Sequence, residues 1–320
     1  MRKIVYLFLL LLFITFSNAQ TIEKIYNFDN YQLENIDDYQ LIEIDGCLQS
    51  ALKGQPSLPW YPVSIMLPQG CEAESIEVVC SDYKEIEIEK SLFPYQPSRA
   101  YSSPERTQFY IDENVYLSKT EYPSSKNGVL TTHHMNGYAL ANSTFTPIKY
   151  IPSEGKAYMA QTVKVTINHK AIKSYNEKMV SSRPEVRKRL ETLVDNPEMI
   201  DNYIVDKSKS VEGYELLIIT SSEYMSDFQP YIDFYNTNDI RTNIMTTEYI
   251  FSSVQGVDDQ EKIRNCIISE YETSDITMVL LGGDVAIVPY RGFYGDVLSG
   301  GSHNIDDNIP ADLYFAALDG

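Results

Sequence analysis

The chain has 320 residues, enough for two domains that each bury a core. Its formal charge of -19, from 45 acidic and 26 basic residues, repels phosphate backbones and argues against a nucleic-acid partner. Cys47, Cys71, Cys80 and Cys266 form no CxxC pair and no Cys/His cluster, which argues against a disulfide scaffold and against structural zinc.

Residues 1–19 have the layout of a secretory signal. Arg2 and Lys3 precede an apolar run over residues 4–16, and Ser17-Asn18-Ala19 supplies small residues, with cleavage expected after Ala19. The run is short for a membrane span; the alternative is an uncleaved anchor. No later stretch is apolar enough to cross a bilayer, so the mature chain is expected to be exported, soluble and without a membrane span.

Residues 20–170 carry short alternating runs broken by turn residues, and predict a β-rich, antiparallel, sandwich-like domain. Ser75-Ile-Glu-Val-Val, Glu85-Ile-Glu-Ile-Glu and Ala160-Gln-Thr-Val-Lys-Val-Thr-Ile-Asn alternate as half-buried strands do. Asn127-Gly128 is the strongest local turn signal, since both residues tolerate positive φ. Cys71 and Cys80 flank residues 75–79 and stand where a disulfide would staple that strand's ends. His133-His134, just before Asn136-Gly137, has no acidic or cysteine companion and reads as a turn feature.

Residues 171–212 form a linker with a short helix. Pro184 suits a helix start, and Leu190, Leu193 and Val194 follow at helical spacing. Arg183, Arg187 and Arg189 are candidate processing sites in an exposed connector; the other reading is an ordinary solvated helix face.

Residues 213–320 alternate strand and helix, the pattern of a parallel sheet with right-handed crossovers. Tyr214-Glu-Leu-Leu-Ile-Ile-Thr is a nearly continuous apolar run, as a buried parallel strand requires. Ser221 and Ser222 are N-cap candidates for a helical stretch carrying Tyr224, Phe228, Tyr231, Ile232 and Tyr235, with Pro230 opening its second segment. Residues 241–246 read as a second strand. Asp258 and Glu261 then have capping-box spacing, ahead of a stripe of Ile263, Cys266, Ile267 and Tyr271. The third strand, Thr277-Met-Val-Leu-Leu, runs into Gly282-Gly283-Asp284.

Cys266 lies on the apolar stripe, so it reads as a core thiol and not as a nucleophile. Gly282-Gly283-Asp284 sits at a strand's carboxyl end, where open α/β sheets place ligands. Asp284 either holds a cation or orients a reacting group, or the segment is a strand-exit turn. Ser299, Ser302, His303 and Asp306 crowd one Gly/Ser loop, without a nucleophile elbow, and do not read as a triad. Asp306, Asp307, Asp312 and Asp319 offer oxygen ligands for Ca²⁺, but lack EF-hand spacing.

Several ordered motifs resemble one family. Tyr214-Glu-Leu-Leu-Ile-Ile-Thr, Phe228-Gln-Pro, Glu261-Lys-Ile-Arg-Asn, Val279-Leu-Leu-Gly-Gly-Asp-Val and Ala311-Asp-Leu-Tyr-Phe-Ala-Ala-Leu-Asp-Gly are similar to the start of the gingipain-type cysteine peptidases, family C25. Gly54-Gln-Pro-Ser-Leu-Pro-Trp-Tyr-Pro-Val-Ser-Ile-Met-Leu-Pro and Phe145-Thr-Pro-Ile-Lys-Tyr-Ile-Pro resemble the prodomain of such enzymes. The resemblance implies a secreted precursor: a β-rich prodomain, acting as intramolecular inhibitor, before a caspase-like α/β peptidase domain. It implies protein or peptide substrates, a His–Cys dyad beyond residue 320 with no activity before it, structural Ca²⁺ and no organic cofactor. It assigns no catalytic residue here, but Asp284 and Asp312 match acidic positions near the site. Asp306, Asp307 and Asp319 are the calcium candidates. The competing expectation is a non-enzymatic exported binding or scaffold protein, or a sortase-like relative of the type IX secretion route.

Overall fold

The structure, a computed structural model, describes residues 20–97, 108–205, 213–299 and 302–318. The expected cleavage point at Ala19 lies outside the described residues. The chain divides into two compact units: Met1–Val63 with Cys71–Thr131 and Ala141–Ala171, and Ser64–Gly70 with Thr132–Leu140 and Ile172–Gly320.

The strands of the β-rich part are β1 (Gln20–Asn27), β2 (Gln32–Ile36), β3 (Tyr39–Glu43), β4 (Leu48–Ser50), β5 (Leu58–Met66) and β6 (Cys71–Ile86). After a one-turn helix α1 (Glu113–Tyr116) come β7 (Thr131–Met135), β8 (Tyr138–Phe145), β9 (Ile148–Ile151) and β10 (Lys156–Ala171). One antiparallel sheet places β10 between β1 and β6; a second runs β4-β5-β8-β7. Along β10, Val163, Val165 and Ile167 are fully buried while Thr162, Lys164 and Thr166 alternate with them on the more accessible face. Tyr26 from one sheet meets Tyr61 and Phe145 from the other at ring-centroid distances of 5.3 and 5.1 Å, closing a sandwich core.

Several local expectations change. Residues 75–79 and 160–168 are pieces of the 16-residue strands β6 and β10, and strand pairing ends at Ile86, so residues 87–89 are not strand. Cys71 and Cys80 are free thiols nine positions apart on one extended strand, about 30 Å apart at the usual rise, far beyond disulfide reach. Asn127-Gly128 pairs with the end of β8, with Gly128 N donating to Thr144 O at 2.8 Å. The tight turn is at Asn136-Gly137, whose φ angles of 51° and 82° suit the twist of the β7–β8 hairpin. His133 and His134 therefore stand in β7.

In the second unit, helix α2 (Pro184–Leu193) opens at Pro184 as expected and buries Val186 and Leu190 with Val180, Tyr138 and Tyr203. The chain beyond it is stitched to residues 64–67: Asn196 bonds both the amide and carbonyl of Met66, at 2.7 and 2.9 Å, and Tyr203 Oη donates to Leu67 O at 2.8 Å.

The α/β part follows as β11 (Leu216–Thr220), α3 (Gln229–Thr237), β12 (Thr242–Thr246), α4 (Thr247–Ser253), α5 (Asp259–Ser274) and β13 (Met278–Leu281). The sheet is parallel, in the order β12-β11-β13, and every residue of central β11 is buried. Asp258 caps α5 by accepting from Glu261 N at 2.9 Å, and the stripe of Ile263, Cys266, Ile267 and Tyr271 is its buried face. Two features depart from expectation. Ser222 does not cap the helix after β11 but bonds Glu248, and α3 buries none of its residues. The Gly/Ser stretch joins a hairpin, β14 (Arg291–Ser299) and β15 (Ser302–Ala311), followed by α6 (Leu313–Ala316). Among the described residues, no helix is long and apolar enough to cross a membrane.

Candidate functional site

Parallel strands deliver their loops to one end of a sheet, and ligands of open α/β sheets gather beyond the carboxyl ends. Here those ends are Thr220, Thr246 and Leu281. Gly282 continues the ladder by donating to Ile219 O at 2.8 Å, and a Cβ on it would run into the Phe228 ring. Gly283 takes φ of 139°, a conformation side chains rarely adopt. Asp284 closes the turn: its carboxylate accepts from Ala286 N at 2.9 Å, and its carbonyl from Ile287 N and Val288 N. With Tyr224, Asp227, Phe228 and Ile287, these residues line an open groove of about 350 Å³.

Glu248 ties the loops after β11 and β12 together, accepting from Ser222 N and Oγ at 3.0 Å each. Its own amide and that of Ser222 hold its carboxyl below the usual range. Beneath them, Thr220 Oγ1 and Ser221 Oγ are buried with no hydrogen-bond partner.

Asp312 is exposed and precedes α6, its carbonyl accepting from Phe315 N at 2.9 Å. It lines a different groove, of about 450 Å³, along β13 with Ile276, Leu280 and Phe315. Asp284 and Asp312 thus border separate grooves. Asp306 and Asp307 are exposed on β15, where Asp306 accepts from Asn308 N; Asp319 lies outside the described residues. Among the described residues, no three His, Cys, Asp or Glu side chains gather closely enough to hold a metal. His303 pairs with Asp296 across the β14–β15 hairpin at 2.9 Å, a partner visible only once the loop is read as two strands.

Cys266 is a core thiol, 3.5 Å from Met245 Sδ, and burial pushes its pKa up to about 11. Arg187 pairs with Glu191 and Asp201 on the surface of α2, and Arg189 is exposed on the same helix.

Arg183 is placed quite differently. Its Nε donates to Asp275 O at 2.7 Å, its Nη1 to Glu215 at 2.6 Å, and its Nη2 to Tyr214 O and Ser274 O at 3.2 Å. The neighbouring Ser182 donates its amide and hydroxyl to the Asp275 carboxylate, both at 3.1 Å. All four acceptor residues lie at the amino end of the sheet or at the carboxyl end of α5. Sequence reasoning missed this network, whose partners lie 31 to 93 positions away.

Comparison with known families matches residues 14–188 to the C25 propeptide and residues 209–320 to peptidase family C25. The chain belongs to the C25 peptidase family. As a C25 propeptide followed by C25 peptidase sequence, it is the precursor of a cysteine peptidase. Its β-rich region and residues 172–183 fall in the propeptide; the parallel sheet falls in the peptidase portion. Among solved structures, one described as showing the zymogenic latency of gingipain K from Porphyromonas gingivalis is similar, at 17% identity, with 49% of this chain and 90% of that one covered and a TM-score of 0.40. A complex of Porphyromonas gingivalis RgpB pro- and mature domains is similar at 15% identity over 55% of this chain and 93% of that one, with a TM-score of 0.43. No curated protein matches the chain.

Proposed function

We propose that this C25 precursor is exported by a signal ending at Ala19, that its propeptide restrains the peptidase in cis, and that the released enzyme cleaves protein or peptide substrates with a thiolate nucleophile. One observation carries the reading: propeptide and peptidase residues share a hydrogen-bonded core within the second unit. Besides Arg183 and Ser182, Tyr271 Oη donates to Met179 O at 2.9 Å and Asn176 donates to Glu272 at 2.6 Å. A propeptide held by so many directional contacts is a folded partner of the peptidase portion and not a loose leader.

In this chemistry a histidine withdraws the thiol proton, the thiolate attacks the scissile carbonyl, and backbone amides stabilise the oxyanion. The nucleophile is not Cys266, whose burial disfavours the thiolate. The carboxyl end of β11 and β13 is the substrate side, where Gly282, Gly283 and Asp284 line the open groove. Of the three processing candidates, Arg187 and Arg189 present exposed side chains, while Arg183 is engaged by its acceptors.

The test is peptide hydrolysis by the natural full-length gene product, before and after propeptide removal. Activity should rise on removal and vanish on thiol alkylation, and Cys266→Ser should stay active and alkylation-sensitive. Hydrolysis indifferent to alkylation, or abolished by a well-folded Cys266→Ser, would sink the reading.

A further inference from the structure

The contacts of Arg183 show where the propeptide grips. An arginine offers five N–H donors in a rigid fork, and here four acceptor groups meet it: one carboxylate and three backbone carbonyls. Two of those carbonyls, Ser274 O and Asp275 O, belong to the end of α5, where a helix leaves carbonyls unpaired and favours positive charge. Asp275 holds the left-handed conformation that ends the helix, with φ of 55°, and its carboxylate faces Ser182. Glu215 immediately precedes β11 and is shared with Arg241, whose amide donates to it at 2.6 Å. The arm itself is rigidly delivered: Val180 and Ser181 are buried, Ser181 N donates to Asn136 O at 3.0 Å, and Tyr138 Oη donates to Ser181 O at 3.1 Å.

We propose that residues 176–183 are the propeptide's docking arm, and that Glu215, Asp275 and the end of α5 form its receptor on the peptidase portion, with Arg183 as the anchor. The receptor lies at the amino end of the sheet, opposite the carboxyl ends assigned to substrate. A propeptide anchored there stays attached after the connecting chain is cut. Release then depends on withdrawing Arg183. This rests on the proposed reading only in taking the two portions to be separable after cleavage.

The experiment uses the full-length protein carrying one specific-protease site inserted between the propeptide and peptidase matches, cut and then assayed for association of the two pieces by gel filtration and mass. Wild type should remain a complex. Arg183→Ala should weaken association by on the order of 100-fold or more, with Arg183→Lys between the two, since a lysine keeps the charge but loses the fork. If Arg183→Ala does not fold, Glu215→Gln serves instead and should weaken association by about tenfold, since it removes the anchor's charged partner but keeps its shape. Association unchanged in Glu215→Gln and in any folded Arg183 variant overturns the proposal. Because the readout is mass, it stands whether or not the pieces show peptidase activity.

Discussion

At the amino end of the parallel sheet, Arg183, Glu215, Arg241 and Asp275 form a network of direct hydrogen bonds around a side chain only 14% exposed. At the carboxyl end of the same strands, Thr220 Oγ1 and Ser221 Oγ are buried without partners, and the β13 exit is a Gly-Gly turn that admits no side chain. Polar groups buried with partners hold a structure together; those buried without them cost stability. The contrast is between an end of the sheet where the buried polar side chains are satisfied and an end where two are not.

The fastened end predicts the largest effect. Arg183→Ala leaves Glu215 with Arg241 alone and removes the donor to the Tyr214, Ser274 and Asp275 carbonyls, and should cost about 3 kcal/mol in urea unfolding of the full chain. The loss should carry a pH signature. Burial pushes the Glu215 carboxyl up, but hydrogen bonds from Arg183 and from the Arg241 amide outweigh it and hold it below its ordinary value of 4.5. A carboxyl lowered on folding contributes stability that is fully present above 4.5 and is lost as pH falls through its folded pKa. Glu215→Gln should therefore flatten the acid limb of the stability curve below that pH while lowering the plateau above it. An unchanged acid limb would show that Glu215 is not held by the network.

Much of this α/β region is legible in the sequence because its signals are local. The apolar run at Tyr214, the Asp258/Glu261 cap and the Ile263–Cys266–Ile267–Tyr271 stripe each need only a few neighbouring residues to be read. What escaped reading is non-local. Arg183 stands among other basic residues, and nothing in its neighbourhood points to Glu215 or Asp275. Two Asn-Gly pairs compete for one hairpin turn; Asn136-Gly137 wins because β7 and β8 pair across it, which the dipeptide alone does not reveal. Helix α4 follows β12 without a break, so no turn residue announces it.

At the open end, Gly282→Ala is the next largest expected effect. The added methyl meets the Phe228 ring, and overpacking of this kind costs about 1–3 kcal/mol. Phe228→Leu in the same chain should recover part of that cost, because the clash is with a side chain and not with backbone. Additive losses in the double variant would place the strain elsewhere, in the turn itself.

The smallest effect tests the contrast most directly. Thr220 is fully buried at the end of β11, with its hydroxyl unpartnered. Thr220→Val keeps the branched shape suited to a strand and removes the polar atom, so it should leave stability unchanged or raise it by up to about 1 kcal/mol. Most polar-to-apolar changes at satisfied sites go the other way, because they strand a partner. A loss above about 1 kcal/mol would mean that the hydroxyl is bonded in solution, and the carboxyl end would then be as well fastened as the amino end. A gain in stability would instead mark Thr220 as a hydroxyl the fold keeps at a cost at the carboxyl end of its central strand.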